Sequence, residues 1–415
     1  MPIIKGRIFY GWVVVMAAFI ICAVITGTIF SFGVFFKSIE DAFELSRATT
    51  SSIISVSMVF SGVFGVLGGW AVDRYGARII AFLMGLFTGL SLILTSQTGA
   101  TWQLFITYSL LLAIGTSPIY VVIMSVTMKW FEKRRGLAVG IASSGMGFGQ
   151  MLMAPMAAFL ISNYNWRIAY SIFGVIAWLV VIPAVRFLKS NPRDIGVLPD
   201  KAEPISKNIH SANTRTNTEI LQTGGLSLLQ AIKTRSYWLI VAIWFVLAAS
   251  VMLTMTHIVP HATDVGYSVG QAAAILSLAG ISITAGNVIM GFAYDRIGRR
   301  TTVVICALFI SIPLTGLVWS QSLWMLYLFA VFFGLGHGGL TASTFALVGD
   351  TLGLKSIGII LGTLDIGWWA GAAIGPVLGG YIFDIYQSYS LAFMIASASM
   401  LLAAILGAFV RSEIN

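Results

Sequence analysis

Few residues of this chain could do chemistry inside an apolar environment, and their positions limit what that chemistry is. Asp365 interrupts the apolar run Thr363-Leu-Asp-Ile-Gly-Trp-Trp369, about ten residues into a stretch long enough to cross a bilayer. A carboxylate facing lipid is costly, so Asp365 must face a central cavity or a partner. There it suits the uptake and release of a proton; the alternative is a polar residue hydrogen-bonded between helices. His337, in Gly334-Leu-Gly-His-Gly-Gly339, could share that proton or hold an anion, or simply pack. Asn287 lies at i, i+4 and i+8 with Gly291 and Asp295, and its amide can donate to a carboxylate or accept from a hydroxyl. Tyr120 follows the break Ser117-Pro-Ile, which could expose backbone donors. Gln150 and Trp369 complete the candidate substrate contacts, with only one of Trp368 and Trp369 expected to face inward. His257, His261 and Asp264 invite a metal site. However, Pro260 intervenes and only one carboxylate is near, so a helix end with turn residues fits better. No phosphate-binding loop ending in Lys-Ser/Thr and no nucleophile–base motif occurs, so neither ATP drive, a cofactor nor an enzyme is expected.

The elements that must position these residues are membrane helices. The chain is 58% hydrophobic and 9% charged, against about 25% charge in a soluble domain. Its two cysteines, Cys22 and Cys306, both lie in apolar runs and suggest no disulfide framework. The first apolar stretch, from Gly11 to Phe36, is too long for a signal-peptide core. Twelve segments are expected near 11–36, 50–72, 78–97, 102–127, 136–160, 167–187, 237–259, 269–293, 300–319, 322–348, 356–382 and 388–410. The fold class is therefore an all-α membrane protein of twelve transmembrane helices in two six-helix bundles. They would occupy 1–188 and 236–415, joined by a polar cytoplasmic linker over 189–235. Ser46 and Ser268 each precede a segment and should cap its start. Glycines recurring through the fifth and eleventh segments would let helix backbones approach closely.

Charge sets orientation. With a cytoplasmic N-terminus, 21 of the 24 basic residues fall inside, leaving Lys37, Arg47 and Arg167 outside. The net charge of +9 is thus a topology signal rather than a nucleic-acid footprint. Both termini are expected inside, in the inner (plasma) membrane of a cell, bacterial by its short tails, and the protein is expected to be a monomer.

One charged turn occurs twice, as Gly69-Trp-Ala-Val-Asp-Arg-Tyr-Gly-Ala-Arg78 and as Gly291-Phe-Ala-Tyr-Asp-Arg-Ile-Gly-Arg-Arg300, 222 residues apart. Such a repeat points to two homologous halves. With twelve helices and a basic central loop, the doubled turn resembles the major facilitator superfamily along essentially the whole chain. The resemblance implies two bundles around a central site that opens alternately to each side. It also implies that Asp73, Arg74, Arg78, Asp295, Arg296 and Arg300 clamp the cytoplasmic ends in the outward-open state. Tyr10-Gly-Trp-Val-Val-Val15 and Lys129-Trp-Phe-Glu-Lys-Arg-Arg-Gly-Leu-Ala-Val-Gly140 are similar to the proton-linked monocarboxylate transporters and the related oxalate/formate branch. That group's helix-eight arginine falls on Asn287, its partner aspartate on Ile283, and the helix-one lysine of animal members on Phe30. The lysine that the oxalate branch carries in helix eleven has no counterpart. His337 is the only basic residue left in a membrane core.

The expected function is secondary active, proton-coupled transport of a small organic anion, a monocarboxylate, with Asp365, alone or together with His337, as the proton site. One alternative is a proton-driven exporter of drugs or other amphipathic compounds, suggested by the missing arginine and by Gly371-Ala-Ala-Ile-Gly-Pro-Val-Leu-Gly-Gly380. A membrane receptor that binds without translocating is the other.

Overall fold

A computed structural model describes residues 9–131, 135–189, 226–319, 322–352 and 357–411. Among them are twelve helices long and apolar enough to cross a membrane. They are α1 (Tyr10–Phe43), α2 (Arg47–Tyr75), α3 (Ala77–Ser96), α4 (Thr101–Thr127), α5 (Arg135–Asn163) and α6 (Trp166–Val185). The second set is α7 (Arg235–Asp264), α8 (Val269–Ile297), α9 (Arg299–Leu317), α10 (Leu323–Leu352), α11 (Ile357–Tyr386) and α12 (Ser390–Phe409). Ser46 caps α2 and Ser268 caps α8, each accepting a backbone N–H three residues on. Most of the expected linker lies outside the described residues; its end forms a one-turn helix, Leu228–Ala231.

Several helices outrun their apolar cores, mostly at the end away from the termini. Helix α7 continues through Pro260 to Asp264, so His257, His261 and Asp264 sit on a continuous helix rather than among turn residues. Proline leaves the carbonyl four residues back without its helical donor. That carbonyl, on Thr256, lies against Gly33 of α1, where no side chain intrudes. Helix α4 is broken at Ser117-Pro118, as expected, and resumes as Ile119–Trp130.

The two halves repeat one another at the 222-residue offset of the charged turns. Gly149 of α5 leaves no room for a Cβ against the backbone of Ala23 in α1; Gly371 of α11 does the same against Phe245 in α7. Both members of the second pair lie 222 residues after those of the first. In a bilayer, where lipid is as apolar as leucine, this backbone approach supplies the packing that holds helices together. The halves then meet along two seams, α2 on α11 and α5 on α8.

The turns explain their own second glycine. Gly76 and Gly298, also 222 apart, both have φ +86° with extended ψ. This region is essentially closed to residues with a Cβ, so the glycine fixes the angle at which one helix leaves the next.

Space and backbone strain can therefore be separated. A Cβ would meet nothing within 4 Å at either Gly298 or Gly140, but only Gly298 has positive φ. Gly298→Ala should destabilise by about 1–3 kcal/mol. Gly140→Ala, in a helix, should be neutral or stabilising by up to about 1 kcal/mol. Thermal unfolding in detergent reads both; equal midpoints would show that the turn is not strained.

Candidate functional site

The charged residues that sequence places outside converge at the end away from the chain termini. Arg47, at the start of α2, is only 7% exposed. Its Nη1 and Nη2 donate to the Asp264 carboxylate of α7 at 2.6 and 3.0 Å, and its Nε donates to Glu40 of α1 at 3.2 Å. Lys37 of α1 donates to the same Asp264 oxygen that Nη2 uses. The guanidinium lies 3.7 Å over the Phe383 ring of α11, a cation–π contact. Asp384, also of α11, accepts the backbone N–H groups of Arg47 and Ala48, so a carboxylate from one half caps a helix of the other.

His257 extends this cluster inward and is fully buried. Its Nε2 is 2.8 Å from the carbonyl of Pro376, so Nε2 carries the hydrogen and Nδ1 accepts from Tyr389 Oη at 3.1 Å. Tyr389 Oη in turn accepts from Arg47 Nη1 at 2.7 Å. Each donor thus has an acceptor. Every side-chain hydrogen bond between the halves, among the described residues, lies in this part of the molecule. The three ion pairs found there all involve Arg47 or Lys37. This end is shut.

At mid-depth the halves leave a polar pocket. Tyr120 of α4 is 37% exposed, with its hydroxyl 3.6 Å from Met146 Sδ of α5. Asp365 of α11 lies within electrostatic range of the Tyr120 phenol, across the contact between the halves. Asp365 is half-buried and, among the described residues, has neither a hydrogen-bond donor nor a cation for a partner. Asn287 is half-buried one turn from Thr284, which meets Gly147 of α5, so it stands beside the α5–α8 seam. Trp369 lies across Gly62 of α2, in the other seam.

Two expected cavity residues are not in this pocket. Gln150 is fully buried, its Nε2 3.4 Å from Met255 Sδ of α7. It spans the contact between α5 and α7 with no exposed surface. His337 is 2% exposed and packed near Phe333, with Nδ1 unpartnered. The glycines around it draw α10 against α8 and α9 and leave the ring inside the bundle. Among the described residues no ion pair joins it to Asp365, and its Nδ1 has no partner there.

The repeated turns lie at the opposite end, with the termini. Arg74, Arg78, Arg296 and Arg300 are exposed and form no ion pair among the described residues. Arg74 stacks on Trp70 and Tyr75, and Arg300 Nε donates to the Val410 carbonyl at 2.9 Å. The side chains of Asp73 and Asp295 lie outside the described set, as do Lys133, Arg134 and Lys355.

Two six-helix bundles with a polar pocket between them, sealed at one end, define a membrane transporter. The family model described as Major Facilitator Superfamily matches residues 15–282 and 245–414, and the chain belongs to that superfamily. It is 26% identical to monocarboxylate transporter 13 of Rattus norvegicus, over 94% of this chain and 87% of the relative. Monocarboxylate transporter 12 of Homo sapiens is 25% identical, over 97% and 80%. Among solved structures, a bacterial homolog of the human lysosomal transporter Spinster superposes with a TM-score of 0.73. It is 15% identical, over 98% of this chain and 96% of that one. The protein is a multi-pass membrane transporter of a small molecule, not an enzyme.

The pocket's geometry predicts thiol reactivity. Both native cysteines are fully buried, so the unaltered protein is its own unlabelled control. Asp365→Cys should react with a maleimide while His337→Cys resists. Equal labelling rates would place His337 in the pocket after all.

Proposed function

We propose that this protein is a symporter of a small monocarboxylate and a proton, with the shut end facing outward and both termini in the cytoplasm of a plasma membrane. The bundles 1–188 and 236–415 rock as two bodies about the seams. The observation that carries the reading is Asp365: a half-buried carboxylate inside a membrane-spanning helix, with no ion-pair or hydrogen-bond partner among the described residues. The names of the curated relatives, monocarboxylate transporters 11, 12 and 13, support the substrate class.

The coupling follows from charge. Two like charges about 6 Å apart at an effective dielectric of about 20 repel by roughly 3 kcal/mol, which is about a hundredfold in affinity. A carboxylate therefore enters while Asp365 is protonated and is expelled when it is not. Proton and anion then cross together. With no arginine at the position of Asn287, the anion is held by neutral donors, the Tyr120 hydroxyl and the Asn287 amide. Such a site binds less tightly than a bidentate guanidinium and so releases its cargo readily.

Asp365→Asn mimics the protonated acid. In proteoliposomes, uptake of labelled lactate, pyruvate or acetate driven by an inward proton gradient should vanish, while exchange of the acid at equal pH persists. Gradient-driven uptake that survives the substitution would remove Asp365 from the mechanism. Asn287→Arg should tighten binding of the same acid, and an unchanged KM would take Asn287 out of the site.

A further inference from the structure

Arg47 is built as a carboxylate-binding site, and in this conformation the carboxylate belongs to the protein. Asp264 fills the Nη1–Nη2 edge of the guanidinium with one oxygen on each nitrogen, and Lys37 reaches the same carboxylate from α1. Arg47 is the only Lys or Arg counted as buried among the described residues. The partners divide by half. Lys37, Glu40 and Arg47 belong to the first bundle; Asp264, Phe383, Asp384 and Tyr389 belong to the second.

Separation of the halves at this end must therefore break the pair on one side only. Glu40 stays on Nε, while the Nη1–Nη2 edge loses Asp264 and faces the opened vestibule with Lys37 beside it. That edge presents parallel donors in the geometry that fits a carboxylate. We propose that Arg47 and Lys37 then take the carboxylate of the incoming substrate in the place Asp264 has left, forming an entry site distinct from the Tyr120–Asp365 pocket. This rests on the reading that the cargo is a carboxylate. As the halves close again, Asp264 displaces the substrate toward the pocket and restores the seal. A tethered group acts at an effective concentration of the order of millimolar, so free carboxylates in that range compete with it.

A plain lock and an entry site predict opposite signs. Breaking a lock from either partner favours the state open at this end, so Arg47→Gln and Asp264→Asn would both lower the KM measured from that face. If Arg47 also binds the substrate, Asp264→Asn removes a competitor and lowers this KM. Arg47→Gln, in contrast, removes the ligand and should raise it about tenfold or more. The experiment is exchange of labelled L-lactate at equal pH in oriented proteoliposomes, with KM taken separately from each face. Arg47→Lys, which keeps the charge but loses the fork, should raise KM less and serves if Arg47→Gln does not fold. Opposite shifts at this face, with KM at the other face moving in the same direction for both variants, establish the entry site. A fall in KM for Arg47→Gln or Arg47→Lys overturns it while lactate transport stands. Absence of lactate, pyruvate and acetate exchange in the unaltered protein removes the function proposed above, and this site with it.

Discussion

Arg47 can be buried at the end of α2 only while Asp264, Tyr389 and Phe383 of the second bundle surround it. A buried charge deprived of its partner is destabilising by about 3–5 kcal/mol, so this end is either fully assembled or opened to water. Much of the neighbouring structure serves that contact. Helix α7 runs on past Pro260 to deliver Asp264, and α11 continues to Asp384, which caps α2. His257 ties both helices to Tyr389. Among the described residues, the ion pairs that join the halves are concentrated here.

The scaffold is duplicated, but the chemistry is not. Packing contacts and turns recur at an offset of 222 residues because each half must solve the same problem of bringing helix backbones together in lipid. At the same offset, Asp365 corresponds to Ser143, Tyr120 to Ala342, Arg47 to Val269 and His337 to Gly115. One seam carries Gly147 against Thr284, and its counterpart carries Trp369 against Gly62. A single substrate on the axis between two similar halves meets different side chains on each side.

The twelve helices, their order and the repeated turns were legible in sequence because the bilayer requires long apolar runs and glycine marks the positive-φ turns. Asp365 and Tyr120 were legible as polar interruptions of such runs, and the structure brings them together. Gln150 and His337 looked the same by that criterion yet lie outside the pocket, since hydropathy does not report which face of a helix turns inward. The shut end was the larger omission. Its signal was Lys37 and Arg47, two of only three basic residues on the sparsely charged side. Nothing local pairs Arg47 with an aspartate 217 positions away or with a backbone cap 337 away. His257 and Asp264 stand out in sequence by their spacing along one helix, whereas their partners come from across the molecule.

Sealing one end with ions and the seams by close, largely uncharged packing gives the two kinds of contact different responses to heat. The penalty for dehydrating charges falls as temperature rises, while stabilisation from apolar burial levels off. The cluster around Arg47 should thus gain on the seams as the membrane warms. A carrier built this way rests increasingly shut at that end with rising temperature, and cooling is the condition under which that mouth opens most readily.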